Sequence, residues 1–326
     1  DIFDIEFDTV FEIGLTPNRA DAMSHMGVAR DLRAYFMYKG INHKWFPLKK
    51  DDFNILPSKR KFSVSVESKG KAPRYMGVNI TNLTIKPSPQ WLQTRLRAIG
   101  IVPKNNVIDI TNFVLHDIGQ PLHAFDLDKI SSGIIVKNLS QDTPFITLDG
   151  VKRELHKEDL MICDHQKPLC IAGVYGGLES GITKNTSNIF LESAYFDPVG
   201  IRKSAKRHGL NTDASFRFER GIDPEITIHA LKYAANMIVN FAGGTIEGEL
   251  HEIKEQLAEE SKFMLSFEKI NKTIGQEISK DDVFKILKGL EIKIEYTNEE
   301  RISIQIPSYR VDVTRPSDVI EEILRI

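Results

Sequence analysis

Ile189-Phe190-Leu191-Glu192-Ser193-Ala194-Tyr195-Phe196 is an apolar stretch with a carboxylate in its middle, and it predicts a buried β-strand. A buried glutamate needs a partner, and an empty pocket that awaits a hydroxyl-bearing ligand would supply one. The alternative is a salt bridge or a side chain that points out of the core. Taken alone, the strand favours a salt bridge or an outward-pointing side chain over a ligand pocket at Glu192.

The region around this strand, from residue 62 to about 250, predicts a mixture of short strands and helices. Further strands are expected at Phe62–Val66, Tyr75–Ile80 and Ile134–Val136. One helix is expected from Ser88-Pro89 to Gly100, and another from Asp223-Pro224 to Gly243-Gly244. Strands dominate between these helices, so the region predicts an α+β fold.

The two flanking regions have patterns of their own. Residues 3–13 alternate apolar and acidic side chains, which predicts one strand, and a helix is expected between the cap Ser24 and the stop Gly40. Residues 46–61 hold prolines and charges without an apolar period, which is typical of a linker.

Residues 262–326 predict two short helices capped by Ser266 and Ser279, then a hairpin of two strands around Asn298. This order is that of a winged helix, which binds protein as readily as DNA. We therefore expect a multidomain α+β chain. Its predicted domains are residues 1–50, 55–255 and 260–326, the last one truncated at its end.

Composition excludes several classes of protein. The 326 residues carry 43 Lys+Arg against 45 Asp+Glu, so a formal charge of -2 gives no global field for nucleic acid. Two cysteines are too few for a disulfide scaffold, and no apolar run approaches the roughly 20 residues that cross a bilayer. We expect a cytoplasmic protein without membrane contact. A start without Met and an end inside an apparent helix indicate a piece of a longer polypeptide.

Two segments could carry chemistry in the central region. His123 follows a proline turn and could act as base or hydrogen-bond donor, with Thr111 and Asn112 as orienting groups, although it could equally cap a loop. The glycines from Gly173 to Gly181 lack the lysine of a phosphate-binding loop, so that motif is rejected. They favour close approach of a ligand to the backbone.

Charged clusters give two further candidates. Residues 202–220 hold six basic and two acidic side chains, which makes this stretch the best place for a polyanion, or else a solvated face. Asp312, Asp318, Glu321 and Glu322 suit a hard cation such as Mg2+, although helix-start acids need no metal and nearby arginines could neutralise them. Zinc is rejected at Cys163, His165 and Cys170, because no fourth ligand is evident.

Several motifs taken together resemble the bacterial phenylalanyl-tRNA synthetase beta-subunit family over essentially the whole chain. They are Thr16–Asp21, Asp109–Phe113, Gln120–Asp126, Tyr175–Gly177, Leu191–Ser193, Thr212–Arg220 and Asp318–Glu322. The resemblance implies that residues 1–50 are the second half of a split B1 domain, 55–255 a B3/B4 editing domain and 260–326 a B5 domain. It also implies hydrolysis of tyrosine mischarged onto tRNA(Phe).

The resemblance also implies roles for particular residues. The editing pocket would include His123, Asn112 and Thr111, and Glu192 would recognise the tyrosine hydroxyl. Gly176, Thr212 and Ala214 become the pocket wall. Asp312, Asp318, Glu321 and Glu322 become a Mg2+ site shared with the alpha subunit.

The implied partners are tRNA(Phe) and the alpha subunit, in an alpha2beta2 heterotetramer that uses ATP in the complete enzyme. Aminoacylation would occur on the alpha subunit. A competing interpretation is a purely structural module that holds the alpha subunit without activity of its own. A DNA-binding regulator rests only on the hairpin, and the balanced charge argues against it.

Overall fold

The computed structural model describes residues 2–5, 8–48, 54–255 and 261–326. The chain divides into two compact units. The larger unit contains the described residues within 1–14 and 50–257, and the smaller one those within 15–49 and 258–326.

The larger unit is built on two β-sheets. Its strands are β1 Ile2–Ile5, β2 Asp8–Phe11, β3 Ser63–Val66, β4 Arg74–Thr81, β5 Leu122–Asp126, β6 Gly133–Asn138, β7 Pro144–Ile146, β8 Lys152–Glu154, β9 Leu160–Cys163, β10 Pro168–Ile171, β11 Tyr175–Gly176, β12 Ile189–Tyr195 and β13 Thr245–Lys254. One sheet has the order β13-β4-β12-β5 and the other β11-β10-β9-β6-β3. β1 pairs with β2, and β7 with β8, as separate hairpins.

Alternate residues of β4, β5 and β12 face the second sheet and form a shared core. Tyr75, Phe125 and Phe190 are each fully buried in it, together with Val136 and Ile162 from the second sheet. Burial on both sides of β12 explains its near-continuous apolar sequence. The other face of this sheet contacts helices, since the hydroxyl of Ser193 on β12 donates to the carbonyl of Thr227.

The helices of the larger unit are α2 Gln90–Ala98, α3 Asn106–Ile118, α4 Pro198–His208, α5 Asp213–Phe218 and α6 Ile226–Ala242. α2 and α6 confirm the two expected helices. The short α5 was missed, and so were two longer helices, α3 and α4, although Asn105 caps the first of these and Asp197 the second. Each of the two also ends at a left-handed glycine, Gly119 and Gly209, which is a common stop signal.

The smaller unit packs helices against a three-stranded sheet. Its elements are α1 His25–Lys39, β14 Lys262–Ser266, α7 Phe267–Ile274, α8 Lys280–Gly289, β15 Lys293–Thr297, β16 Arg301–Gln305 and α9 Pro316–Arg325. Ser24, Ser266 and Ser279 each accept a hydrogen bond from a helix-start N–H, as expected from their positions. α1 crosses α8 closely, because a methyl group added at Gly289 would lie 2.9 Å from Cα of Ala34.

A buried charge network joins the two chain segments of the smaller unit. Arg19 donates to Asp21 at 2.9 Å and to Asp31 at 2.9 Å. Arg310 donates to Glu322 at 2.6 Å and lies 3.9 Å from Asp21. The described residues within 15–49 therefore belong by contact with those within 258–326, a grouping that the sequence did not indicate. The predicted domain limits themselves stay a prediction.

One prediction about the start of the chain is wrong. Residues 3–13 do not form one strand, because β1 and β2 pair antiparallel with Ile2 opposite Phe11 and Ile5 opposite Asp8. An alternating pattern is the same for one long strand and for a hairpin of two short ones, so the pattern could not separate them. Part of the expected linker, residues 49–53, lies outside the described residues.

Candidate hydrolytic site

The candidate site begins with a row of residues that crosses the four-stranded sheet. His251 lies opposite Gly77, Gly77 opposite Glu192, and Glu192 opposite His123 in the strand register. Directly paired residues point to the same face of a sheet, so Glu192 and His123 are neighbours on the face that meets the second sheet. The sequence predicted both residues, and the strand pairing brings them together.

Glu192 is the buried carboxyl of the site. It is 5% exposed, and its Oε2 atom accepts a hydrogen bond of 2.7 Å from the hydroxyl of Tyr75. Burial raises the pKa of Glu192 to about 8, although the hydrogen bond from Tyr75 lowers it in part. The side chain therefore points into the core, and the expected salt bridge is replaced by a phenol hydroxyl.

His123 has an unpaired nitrogen. Its ring stands edge-on to Phe125 with centroids 4.4 Å apart, and its buried Nε2 atom has no hydrogen-bond partner among the described residues. Burial lowers the pKa of His123 to about 4, so the ring is neutral at pH 7. An orphaned buried polar atom of this kind marks a position where water or a ligand group binds.

Gly176 packs closely against the His123 ring. A methyl group added there would lie 2.8 Å from Cδ1 of Leu148 and 3.0 Å from Cε1 of His123. The backbone N–H of Leu148 donates to the carbonyl of Gly176 at 3.0 Å, which fixes the loop after β7 next to β11. Even a methyl group at this position would lie too close to both side chains, so glycine is required beside His123, and the role of Gly176 as a pocket wall stays a prediction.

Thr212 and Ala214 belong to α5, at the edge of the second sheet. Thr212 caps the helix, and its hydroxyl also donates to the carbonyl of Val174 at 3.1 Å. Ala214 packs partly buried against the core between the sheets. Val174 lies two residues before Gly176, so Thr212 ties α5 to the glycine segment.

Thr111 and Asn112 lie on α3. The hydroxyl of Thr111 donates to the carbonyl of Ile108 at 2.8 Å, so it is used inside its own helix. Asn112 lies one turn before His116, whose Nδ1 atom is 3.3 Å from a guanidinium nitrogen of Arg217 on α5. Neither Thr111 nor Asn112 hydrogen-bonds His123 within the described part of the chain, and their catalytic roles stay predictions.

The basic run is divided between exposed and buried positions. Arg202, Lys203 and Lys206 are exposed on α4, whereas Arg217 is buried on α5. A shallow crevice is lined by Lys71, Glu158, Leu160, Ala172, Asp197, Gly200, Ile201 and Ser204. None of the predicted site residues lines it.

The four acidic residues of the smaller unit do not converge on one point. Asp312 accepts from Arg310 at 2.9 Å and 3.1 Å, and Glu322 accepts from Arg310 and Arg325 at 2.6 Å each. Asp318 accepts from the first backbone N–H groups around α9, while Glu321 is exposed. No cluster of three acidic, His or Cys side chains suited to a metal occurs among the described residues.

This arrangement does not fit a Mg2+ site, because arginines already pair with three of the four carboxylates, those of Asp312, Asp318 and Glu322. In the described ranges, no helix has both the length and the apolar content that a bilayer crossing requires.

Comparisons with known proteins agree with this architecture. Residues 71–243 match the family model of the B3/4 domain, and residues 263–326 match that of the tRNA synthetase B5 domain. Phenylalanine–tRNA ligase beta subunit from Bacteroides fragilis strain YCH46 is 50% identical over 327 residues, which cover 100% of this chain and 40% of that protein. The subunit from Fusobacterium nucleatum is 40% identical, with 98% of this chain and 39% of that protein covered.

A crystal structure of an N-terminal fragment of the phenylalanyl-tRNA synthetase beta subunit from Pyrococcus horikoshii aligns with 99% of this chain and 88% of that one. Its TM-score of 0.48 and 17% identity add nothing to the assignment. This chain spans about two fifths of the length of the curated relatives that it matches. The chain therefore belongs to the phenylalanine–tRNA ligase beta-subunit family, and it contains the B3/4 and B5 domains of that family.

Proposed function

We propose that this chain, as part of a phenylalanine–tRNA ligase beta subunit, hydrolyses tyrosine from mischarged tRNA(Phe). The partners are tRNA(Phe) and the aminoacylating alpha subunit. One observation carries the proposal. A buried carboxyl and a histidine with an unpaired nitrogen lie side by side on one sheet face, and Gly176 packs against the histidine ring.

Glu192 supports selection of the tyrosine hydroxyl. A site that merely tolerates a larger side chain discriminates weakly, whereas a site built to hydrogen-bond a hydroxyl strongly disfavours the analogue that lacks it. The Oε1 atom of Glu192 receives no hydrogen bond from the described residues, since Tyr75 binds only Oε2. A phenol hydroxyl from the ligand would satisfy Oε1, and phenylalanine would leave it unpaired.

His123 supports the hydrolytic step. With a pKa of about 4, the ring is a neutral hydrogen-bond acceptor at pH 7 and a weak base. An aminoacyl ester is already activated, so a water that is held in position needs little help to attack the carbonyl. Nε2 of His123 is the atom that would hold this water. No covalent nucleophile is required.

The test is the release of tyrosine from tyrosyl-tRNA(Phe) and of phenylalanine from phenylalanyl-tRNA(Phe) by the complete alpha and beta enzyme. Glu192→Ala removes the acceptor, so we expect the ratio of the two rates to fall by at least about tenfold. His123→Ala is expected to slow the release of tyrosine. Glu154→Ala, at an exposed position on β8, is the matched control and should change neither rate.

Unchanged discrimination in Glu192→Ala would refute the assigned role of the carboxyl. If the parent enzyme releases no tyrosine while the alpha and beta subunits still assemble, the hydrolytic proposal fails and a purely structural role takes its place. The same assay on this chain alone shows whether residues 1–326 suffice for the reaction.

A further inference from the structure

Tyr75 is the only hydrogen-bond partner of the Glu192 side chain in the described part of the chain, and no sequence motif pointed to it. Its hydroxyl donates to Oε2 at 2.7 Å, and the whole residue is 0% exposed. Tyr75 lies on β4, opposite Ala194, which is two residues along β12 from Glu192. The two side chains therefore meet diagonally on the same sheet face.

The position opposite Glu192 on β4 offers the carboxyl no alternative partner. Gly77 stands there without a side chain, and the ring of Phe190 occupies its space. A methyl group added at Gly77 would lie 2.1 Å from Cζ of Phe190. With an aromatic ring on that side, the hydroxyl of Tyr75 is the polar contact that fixes the orientation of the Glu192 carboxyl.

We propose that Tyr75 is a positioning residue for the candidate site: by occupying Oε2 of Glu192, it holds the carboxyl so that Oε1 faces the ligand hydroxyl. This inference rests on the proposed function, in which Glu192 selects tyrosine. Tyr75 itself touches no reacting atom. Its effect is specificity, since a carboxyl with two free oxygens would rotate and bind the ligand in more than one geometry.

The hydrogen bond also sets the protonation of the carboxyl. Burial raises the pKa of Glu192, and the bond from Tyr75 counteracts that rise. The other titratable groups around it are Cys170 on β10, whose pKa is also raised by burial, and two histidines whose pKa values burial lowers, His123 and His251. All three are neutral at pH 7, so none replaces Tyr75 in stabilising the carboxylate.

The experiment compares Tyr75→Phe with the parent in the complete alpha and beta enzyme. The variant keeps the ring and removes only the hydrogen-bond donor, so the pKa of Glu192 should rise above about 8. When the preference for tyrosyl-tRNA(Phe) is plotted against pH, the change at high pH should therefore move to higher pH. Preference for tyrosyl-tRNA(Phe) over phenylalanyl-tRNA(Phe) at pH 7 should fall on the order of tenfold. Tyr195→Phe removes a hydroxyl from the opposite face of β12 and should leave both readouts unchanged.

A second readout does not depend on hydrolysis. The carbonyl stretch of the buried Glu192 acid is identified in infrared spectra as the band that Glu192→Gln abolishes. In Tyr75→Phe it should shift to higher wavenumber, because the carbonyl loses a donor. An unchanged band together with an unchanged pH profile would overturn the inference.

The two proposals fail in different ways. If the parent does not release tyrosine but the infrared band shifts in Tyr75→Phe, the hydrolytic function fails while the coupling of Tyr75 to Glu192 stands. If the parent discriminates and Tyr75→Phe discriminates equally well at every pH, the hydrolytic function stands and the positioning role fails. If Tyr75→Phe does not fold, Glu192→Gln provides the test. If the preference for tyrosyl-tRNA(Phe) over phenylalanyl-tRNA(Phe) keeps its pH dependence in that variant, the dependence does not come from the Glu192 carboxyl, and the inference is refuted.

Discussion

Glu322→Gln tests the buried charge network of the smaller unit. Glu322 is 4% exposed and accepts hydrogen bonds of 2.6 Å from both Arg310 and Arg325. These two arginines outweigh the effect of burial and lower the pKa of Glu322 from 4.5 to about 2. The substitution keeps the shape of the side chain and removes its charge, so it isolates the electrostatic contribution.

The magnitude follows from the pKa. One pKa unit corresponds to about 1.36 kcal/mol, so a pKa of about 2 in place of 4.5 corresponds to about 3 kcal/mol of folding stability. Because the pKa is lower in the folded protein, this contribution is complete above pH 4.5 and disappears as the pH falls towards 2. We therefore expect Glu322→Gln to lower the free energy of unfolding by about 3 kcal/mol at pH 7 and by less than half as much at pH 3.

The two tryptophans make the measurement specific to one unit. Trp45 belongs to the smaller unit, where its ring lies 4.8 Å from the guanidinium of Arg33, and Trp91 belongs to the larger one. In a Trp91→Phe background, denaturant unfolding followed by tryptophan fluorescence reports the smaller unit alone. Glu321→Gln, at the exposed neighbouring position, is the control and should have little effect at either pH.

A loss of stability that is equal at pH 7 and pH 3 would refute this reasoning, because it would show that the charge of Glu322 is not what stabilises the unit. A loss of stability below about 0.5 kcal/mol at pH 7 would show that the hydrogen bonds of Glu322 with Arg310 and Arg325 do not stabilise the unit.

Two further substitutions test the larger unit. Gly176→Ala is expected to slow the release of tyrosine from tyrosyl-tRNA(Phe) by at least about tenfold, because the methyl group would displace Leu148 and His123; unaltered rates would contradict the requirement for glycine beside His123. Asp159→Asn is expected to lower stability by about 2 kcal/mol, since the fully buried Asp159 accepts hydrogen bonds from His208 at 2.7 Å and from Arg207. Denaturant unfolding followed by Trp91 fluorescence measures this change, and coincident curves for the parent and variant would contradict it.

Local signals gave reliable predictions where the structure depends on neighbouring residues. Ser24 and Gly40 correctly bracketed α1, because a serine cap and a left-handed glycine act within one helical turn. The same kind of signal exists for α3, which Asn105 caps and which ends at the left-handed Gly119, so the limits of this helix are also encoded locally.

The partners of buried polar groups could not be predicted in this way. Tyr75 and Glu192 lie 117 positions apart, and Asn18 and Asp312 lie 294 apart. Nothing in the local pattern of either residue indicates the other. The sequence therefore identified Glu192 as a carboxyl that needs a partner but left the partner open.

The sequence by itself determined the helix limits set by caps, the alternation of the strands and the family to which the chain belongs, because these depend on short-range chemistry and on several ordered motifs. Only the tertiary structure decided that His123 and Glu192 are neighbours and that Tyr75 holds the carboxyl. It also decided that arginines pair with Asp312, Asp318 and Glu322 near the end of the described chain. Such contacts depend on strand register and on the packing of distant segments, which local residue patterns do not encode.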